Sequence, residues 1–323
     1  MHDPSLRDNP PVLGEVKRAR PFDFQHHIHN QSHPDIPKFL AHVRSLCESR
    51  GGAFLVAEVG GEQADAEMKL YTERCERLHS AYGFQYLYAD RLTPALVRAC
   101  VEAWPGREHE GWPAWAFSNH DAPRVVSRWA SDRDRPAFAK LALLLLVCLR
   151  GSVFLYQGEE LGLPQANVPQ ECLRDPEAIA NWPLTLGRDG ARTPMPWNGE
   201  MPNAGFSRAA PWLPVDPAHI ALAADAQETS PTSTLHFARR AIALRRRFSA
   251  LRTGALALLE TPEPILAFVR GDGNNTVLCA FNLGDKAAAW LLPDGWRIAE
   301  SVGVTSTAPN ELPALSGIVA CRR

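Results

Sequence analysis

Strand-like apolar runs alternate with helix-like segments between residues 38 and 156, and this rhythm restricts the possible folds most strongly. The runs at 54–58, 84–88, 114–118 and 153–156 have the length and composition of buried strands. Helical patterns occupy residues 38–48, 62–78, 94–103 and 136–150. Regular alternation of this kind predicts an α/β fold in which a parallel sheet is covered by helices.

The rest of the chain follows two other patterns. Residues 158–232 lose periodicity and are rich in Pro, Trp and Asn, which favours a long structured loop that shapes a site. A basic helix is predicted at 234–251, with a solvated face formed by Arg239, Arg240, Arg245, Arg246 and Arg247. Short strands separated by turns follow from residue 256. We therefore expect a large domain at 1–251 and a small antiparallel β domain at 252–323.

Composition narrows the classes of partner. The 323 residues carry a net charge of -2, and no basic stretch is interleaved with aromatic residues. Nucleic acid and membrane are therefore not expected as partners, whereas a small neutral ligand fits. The seven cysteines are scattered and odd in number, which favours reduced thiols in the cytoplasm. We find no motif for a cofactor or a metal, and the oligomeric state is left open.

Two carboxylic residues, Glu58 and Asp121, close apolar strand-like runs. In a parallel barrel, functional side chains lie at the C-terminal ends of the strands. Cleavage of a glycosidic bond uses one carboxyl as acid and base and another close by. Apolar walls such as Phe54 and Val56 would raise the pKa of a neighbouring Glu and keep it protonated. Taken alone, Glu58 is also compatible with a surface ion pair or a helix cap.

Three motifs, in this order, make the similarity specific: Phe54-Leu-Val-Ala-Glu58, Phe117-Ser-Asn-His-Asp121 and Gly151-Ser-Val-Phe-Leu-Tyr-Gln-Gly-Glu-Glu160. Together they resemble the α-amylase superfamily, glycoside hydrolase family 13. The segments at 2–10 and 188–197 are similar to its α-glucosidase and oligo-1,6-glucosidase branch. The resemblance implies the C-terminal half of a (β/α)8 TIM barrel, with strands 5–8, followed by a small antiparallel β-sandwich domain.

The resemblance also implies roles for individual residues. Glu58 would be the general acid/base and Asp121 the carboxylate that stabilises the transition state. His120 would donate a hydrogen bond to sugar hydroxyls, and Arg188 would hold the non-reducing glucose. We expect Glu159 and Glu160 to form a structural network instead. The histidines at 26, 27, 29 and 33 lack the partners of a usual metal site.

One part of the family pattern is absent from the sequence. The resemblance places the nucleophilic Asp on the fourth barrel strand, in a motif of the form Asp-Gly-Phe-Arg-x-Asp, and no such motif occurs here. We therefore expect a C-terminal fragment that lacks its nucleophile. The expected function is that of a retaining, exo-acting α-glucosidase on short α-linked glucosides. A transglucosylase or isomerase, or an inactive sugar-binding remnant, remains an alternative.

Overall fold

The structure, a computed structural model, describes residues 5–14, 21–61, 63–104, 111–130, 134–184, 187–273 and 275–322. The α-helices are α1 (Ile36–Ser49), α2 (Ala64–Thr72), α3 (Pro94–Ala103), α4 (Val125–Trp129), α5 (Arg135–Cys148), α6 (Pro176–Asn181), α7 (Pro217–Ile220), α8 (Ala224–Glu228), α9 (Thr234–Arg247) and α10 (Ser249–Thr253). The strands are β1 (Val56–Val59), β2 (Ser80–Gly83), β3 (Ala114–Ala116), β4 (Ser152–Phe154), β5 (Leu256–Leu259), β6 (Ile265–Asp272), β7 (Asn275–Asn282), β8 (Ala288–Ala289), β9 (Trp296–Val302), β10 (Glu311–Leu312) and β11 (Ser316–Arg322). Residues 2–4 of the segment at 2–10, and Glu62 at the start of the second predicted helix, lie outside the described residues.

The chain divides into two compact units, of which the first comprises residues 1–84, 106–114 and 175–187. Its β1 and β2 pair in parallel, with Glu58 opposite Tyr82. The strand predicted at 84–88 is wrong, because the chain turns there and the strand lies at 80–83 instead. Tyr86 and Leu87 are buried within that turn. Their apolar character therefore reflects burial and does not indicate an extended backbone.

The second unit comprises residues 85–105, 115–174 and 188–323, and the apolar helix α5 lies at its centre. Ten of the eleven residues at 138–148 in α5 are buried, and Lys140 is the exception. This helix contacts α9 and the strands β7, β9 and β11. A helix that is apolar on all sides is stable only when surrounded, so α5 organises the core of this unit.

The C-terminal sheet has the strand order β5-β6-β7-β11-β9, with antiparallel pairing throughout. Leu266, Phe268 and Phe281 on one face join the cluster that contains α5, whereas Ala267 and Ala280 on the other face pack toward the small sheet of β8 and β10. Strands buried on both faces lose the alternation of apolar and polar residues. The antiparallel strands predicted for this region are present, and the domain boundary after residue 251 stays a prediction.

Two arginines bind backbone carbonyls at the C-terminus of α5. Arg270 on β6 is fully buried and donates from Nη1 to the carbonyl of Cys148 at 2.5 Å. Arg245 on α9 donates from Nη1 to the carbonyl of Val147 at 2.6 Å. Cations stabilise the negative end of a helix. The solvated position predicted for Arg245 is therefore wrong. Helix α9 packs against α5, and the long Arg245 side chain extends to the carbonyls at the end of α5.

No helix in the described part of the chain is long and apolar enough to cross a membrane. None of the seven cysteines, all of which lie in the described part of the chain, forms a disulfide.

Candidate active site

The candidate site begins where β3 ends. Phe117, Ser118 and Asn119 continue from the buried strand and are themselves buried. The Asn119 Oδ1 accepts hydrogen bonds from the backbone N–H groups of Asp121 at 2.9 Å and Ala122 at 2.8 Å. An Asn side chain that bonds its own backbone two residues on fixes a turn. The backbone of Asp121 is thereby held at the strand tip.

Three side chains converge on the Oδ1 atom of Asp121. Arg192 donates from Nη2 at 2.5 Å, the Nη1 of Arg188 lies at 3.5 Å, and the Nε2 of His120 also lies at 3.5 Å. The Asp121 side chain is 27% exposed, so the cluster is open to a ligand. The structure thus brings His120, Asp121 and Arg188 together, as expected of one site. Their individual roles stay predictions.

Arg192 is a member of this cluster that the sequence reasoning missed. Besides its bond to Asp121, it donates from Nε to the backbone carbonyl of His120 at 2.8 Å. One planar guanidinium therefore holds both residues of the His-Asp pair in a fixed relation. The available signal was its position in the segment at 188–197, four residues after Arg188. A 3-10 turn over Asp189–Ala191 separates the two arginines.

The buried Arg124 holds the 3-10 turn at Asp189–Ala191 in place. Arg124 donates from Nη2 to the carbonyl of Ala191 at 3.1 Å and from Nη1 to the carbonyl of Gln157 at 2.5 Å. The hydroxyl of Tyr156 donates to the same Ala191 carbonyl at 2.9 Å. Burial lowers the pKa of Arg124, and the neighbouring Tyr156 and glutamates oppose that shift. The turn that carries Arg188 and Arg192 is therefore tied to the chain that follows β4.

Gly158 leaves the space that Arg124 occupies. Its φ of +89° favours glycine, and an added Cβ would lie 2.6 Å from the Nη1 of Arg124. A side chain at this position would push the guanidinium away from the turn. The positive φ angle and the close approach of Arg124 therefore explain why glycine stands at position 158, before Glu159 and Glu160.

Glu159 is a buried carboxylic acid beneath the site, 5% exposed. Its Oε2 accepts from the backbone N–H of Tyr156 at 3.1 Å, and its Oε1 has no hydrogen-bond partner among the described residues. Burial raises the pKa of Glu159 to about 7, although hydrogen bonds from Ser118 and Tyr156 oppose the shift. Glu160 accepts from the backbone N–H of Gly158 at 2.8 Å. Both glutamates thus bind the backbone of their own turn, as predicted for a structural pair.

Glu58 lies on β1 in the first unit and is exposed. Its position near the C-terminal end of a parallel strand agrees with the placement of a barrel active-site residue. The apolar wall predicted beside it is wrong, because Phe54 is 60% exposed and Val56 is 41% exposed. Phe54 precedes β1 and stacks on the ring of His79 instead, with the centroids 5.2 Å apart. The convergence of Glu58 with Asp121 stays a prediction.

The described residues contain no group of three or more His, Cys, Asp or Glu side chains that could hold a metal ion. Within the histidine-rich segment, the ring of His27 stacks on Phe22 with the centroids 3.8 Å apart, and its Nδ1 lies 3.0 Å from the Oδ1 of Asn30. These contacts give the ring a packing role.

Comparison with known families decides the relationship. The profile described as the alpha-amylase catalytic domain matches residues 12–254. The chain belongs to the alpha-amylase family. This match confirms the resemblance that the three motifs indicated.

Relatives within the alpha-amylase family are of the α-glucosidase type. A probable alpha-glucosidase of Rhizobium meliloti (strain 1021) is 42% identical over 301 residues, which cover 91% of this chain and 54% of that protein. A probable oligo-1,6-glucosidase 2 of Bacillus subtilis (strain 168) is 26% identical, with 89% of this chain and 58% of that protein covered. The chain thus spans a little more than half the length of these curated relatives.

Solved structures extend the similarity to the fold. The alpha-glucosyl transfer enzyme XgtA matches all of this chain and 62% of its own, with a TM-score of 0.90 and 39% identity. Isomaltulose synthase (PalI) from Klebsiella sp. LX3 covers 90% of this chain with a TM-score of 0.78 and 26% identity. The predicted fold class, part of a (β/α)8 barrel followed by an antiparallel β domain, is confirmed.

Proposed function

We propose that this chain carries the acid/base and transition-state-stabilising parts of a retaining, exo-acting α-glucosidase that hydrolyses short α-linked glucosides. Glu58 is the proposed acid/base, and Asp121 is the proposed carboxylate that stabilises the oxocarbenium-like transition state. His120 and Arg188 bind sugar hydroxyls beside Asp121. The substrate is a small neutral glucoside, in agreement with the net charge of -2 and the lack of a basic patch in the sequence.

The observation that carries this proposal is the cluster on the Oδ1 of Asp121. A carboxylate flanked by two guanidinium groups and an imidazole can form charge-assisted hydrogen bonds with vicinal hydroxyls. Asn119 and Arg192 hold the His120–Asp121 pair in position before a ligand binds. Electrostatic stabilisation of a transition state requires such preorganisation. The α-glucosidase relatives supply the type of sugar.

The covalent nucleophile is proposed to lie outside these 323 residues, because no Asp-Gly-Phe-Arg segment occurs in them. In a retaining glycosidase the two carboxyl groups are about 5 Å apart, which requires a rigid strand position for the nucleophile. The chain alone is therefore expected to bind a glucoside without hydrolysing it.

Transfer of the glucosyl group to a sugar acceptor is the second candidate function. The extensive match to an alpha-glucosyl transfer enzyme and the match to an isomaltulose synthase favour it. Both functions use the same covalent intermediate, and the acceptor decides between them. When the nucleophile is present, products formed from maltose or sucrose separate the two, because hydrolysis yields only free glucose and its partner sugar, whereas transfer yields new glucosides.

The test is an assay of the chain with p-nitrophenyl α-glucoside, with and without azide. Azide can replace a missing nucleophile: its nitrogen forms a bond to the anomeric carbon while the bond to nitrophenolate breaks, which gives β-glucosyl azide. We expect no turnover without azide, turnover with it, and a loss of at least about 100-fold in Asp121→Asn.

Each other outcome is decisive. Turnover without azide that Glu58→Gln abolishes would support the hydrolase and refute the missing nucleophile. Failure under both conditions would refute the enzyme and favour a sugar-binding remnant.

A cytoplasmic location is also proposed. Its support is the set of seven cysteines, four of them buried, which form no disulfide among the described residues, because scattered cysteines in the thiol state are typical of proteins in reducing compartments.

A further inference from the structure

A second concave site lies in the loop region after the Arg188–Trp197 segment, apart from the residues that contact Asp121. It is a cleft of about 450 Å³ in the second unit. Its walls include Trp212, Pro211, Pro214, Met201, Asn203 and Arg174. Clefts of this volume that combine aromatic and aliphatic side chains with polar groups are typical of small-molecule sites.

Trp212 is the most prominent side chain of this cleft, at 67% exposed. An indole ring is costly to leave in water, and Trp212 stands between prolines at 211 and 214 that limit the backbone on both sides. Its carbonyl accepts a hydrogen bond from the Nε of Arg174 at 3.4 Å. The ring is thus presented to solvent from a restrained backbone.

Another part of the cleft wall is preformed. Asn203 and Ala204 have φ angles of +53° and +52°, a left-handed conformation that is uncommon for residues other than glycine and that Asn tolerates better than Ala. The Nδ2 of Asn203 donates to the carbonyls of Ser207 at 2.9 Å and Ala209 at 3.0 Å. These bonds hold the loop that carries Met201 and Asn203, so a ligand does not have to order it.

The charges of the cleft favour a neutral polar ligand. Among the described residues that line it, Arg174 alone carries a charge. A guanidinium beside an aromatic face suits a pyranose ring, whose C–H groups stack on the negative face of the indole while its hydroxyls accept from the guanidinium. A purely apolar partner would leave the Arg174 donors without such acceptors.

The cleft is also joined to the candidate active site by the backbone. The N–H of Arg174 donates to the Oδ2 of Asp189 at 2.6 Å. Asp189 follows Arg188 directly in the turn that faces Asp121. A hydrogen bond between Arg174 and Asp189 therefore connects the wall of the cleft to the turn that carries Arg188.

We infer that the Trp212 cleft is a second carbohydrate site, which binds one or more glucosyl units of a neutral α-glucan by stacking on the indole. This inference rests on the proposed α-glucoside function for the choice of sugar. The ligand class is a neutral oligosaccharide, and the unit bound need not be a chain end.

The experiment uses α-cyclodextrin, a neutral ring of α-linked glucose that has no non-reducing end and so cannot occupy an exo-acting site. Its affinity for the 323-residue chain is measured by isothermal titration calorimetry, together with four variants. We expect Trp212→Ala to weaken binding at least about tenfold, whereas Trp212→Phe, which keeps an aromatic face, loses only about threefold.

Two variants serve as controls. Trp197→Ala removes another exposed tryptophan, 54% exposed, which does not line the cleft, and is expected to bind like the parent chain. Asp121→Asn is also expected to leave α-cyclodextrin binding unchanged, so failure of the proposed active site can be recognised separately. Because Trp212 is exposed, the thermal unfolding of Trp212→Ala should match that of the parent.

Three calorimetric results would overturn the inference. They are no α-cyclodextrin binding by the parent chain at 10 mM, an affinity of Trp212→Ala equal to that of the parent, or an equal loss in Trp197→Ala. Binding of an apolar dye to the Trp212 cleft without binding of α-cyclodextrin would point to a protein-contact surface and would likewise refute it.

Discussion

Helices α1 and α5 both have 14 residues, yet their surroundings differ greatly. Helix α5, in the second unit, buries Leu141, Leu144 and Leu145 completely. Helix α1, in the first unit, has no buried residue, and its Phe39 and Leu46 are each 53% exposed. An amphipathic sequence is therefore sufficient to predict a helix, but it does not determine how much of the helix becomes buried.

The same contrast runs through the candidate site. Asp121 follows a fully buried strand and is fixed by Asn119 and Arg192. Glu58 stands on β1, where Val56 and Glu58 itself are exposed. Regions with few buried apolar contacts open locally at low free-energy cost. The second unit thus holds the preorganised cluster that we propose binds the sugar, and the first unit holds the proposed acid/base on a weakly buried strand.

The largest expected effect concerns the buried Arg270. Arg270→Ala leaves the carbonyls of Cys148 and Gly254 without their donor and opens a cavity, which should cost about 3–5 kcal/mol in the free energy of unfolding. Arg44→Ala on α1 is the comparison in the first unit. It removes a surface ion pair with Glu48 and an exposed hydrogen bond to the carbonyl of Cys75, which together should cost about 1–2 kcal/mol. Urea denaturation measures both, and equal losses would contradict the contrast between the units.

A matched pair of leucines tests the contrast through packing alone. Leu145→Ala in α5 should lower the free energy of unfolding by about 2–5 kcal/mol, because it creates a cavity in a closed core. Leu46→Ala in α1 should change it by less than about 0.5 kcal/mol. Hydrogen exchange of peptides from each unit provides the local measurement. A large loss in Leu46→Ala would show that α1 is buried in solution.

The pH dependence of the free energy of unfolding should reveal the raised pKa of Glu159. Its pKa is raised to about 7 in the folded state, so the folded protein binds a proton that the unfolded chain releases near its ordinary pKa of 4.5. Stability conferred by the neutral acid is therefore complete below pH 4.5 and declines up to about pH 7. Relative to the parent chain, Glu159→Gln should gain on the order of 3 kcal/mol between pH 4 and pH 8. A difference independent of pH would contradict the assignment.

A smaller effect is expected from Arg192→Lys. Lysine keeps the charge but cannot bond the carbonyl of His120 and the carboxylate of Asp121 together, so the affinity for a glucose-like ligand should fall about fivefold to tenfold. The exposed Arg208 provides the matched control, and Arg208→Lys should bind normally. An unaltered affinity in Arg192→Lys would show that Asn119 alone positions the pair.

Sequence reasoning succeeded where the decisive contacts are local. Helix α3 has its predicted bounds because Thr93 caps its N-terminus, with its hydroxyl accepting from the N–H of Leu96 at 3.1 Å, and Pro94 follows. It failed at residues 84–88, where Tyr86 packs edge-on against Trp115 and Phe117. Those contacts are set by tertiary packing, which apolar alternation cannot distinguish from a strand.

For the candidate site, the motifs predicted which residues meet but not what holds them. His120, Asp121 and Arg188 lie together as expected. The contributions of Arg192 and Arg124 depend on bonds to partners 71 and 67 residues away in the chain, and no local pattern encodes such a pairing. The burial of Glu159 depends likewise on the surrounding core.

The most direct measurement of the central claim is calorimetric titration of the chain with 1-deoxynojirimycin, an iminosugar with the hydroxyl pattern of glucose. If the arginine-flanked carboxylate of Asp121 is the sugar-binding centre, Asp121→Asn should weaken binding at least about tenfold, because a charge-assisted contact is lost. Asp294→Asn, at an exposed aspartate of the β domain, should bind like the parent chain. Equal affinities for the parent and Asp121→Asn would contradict the account.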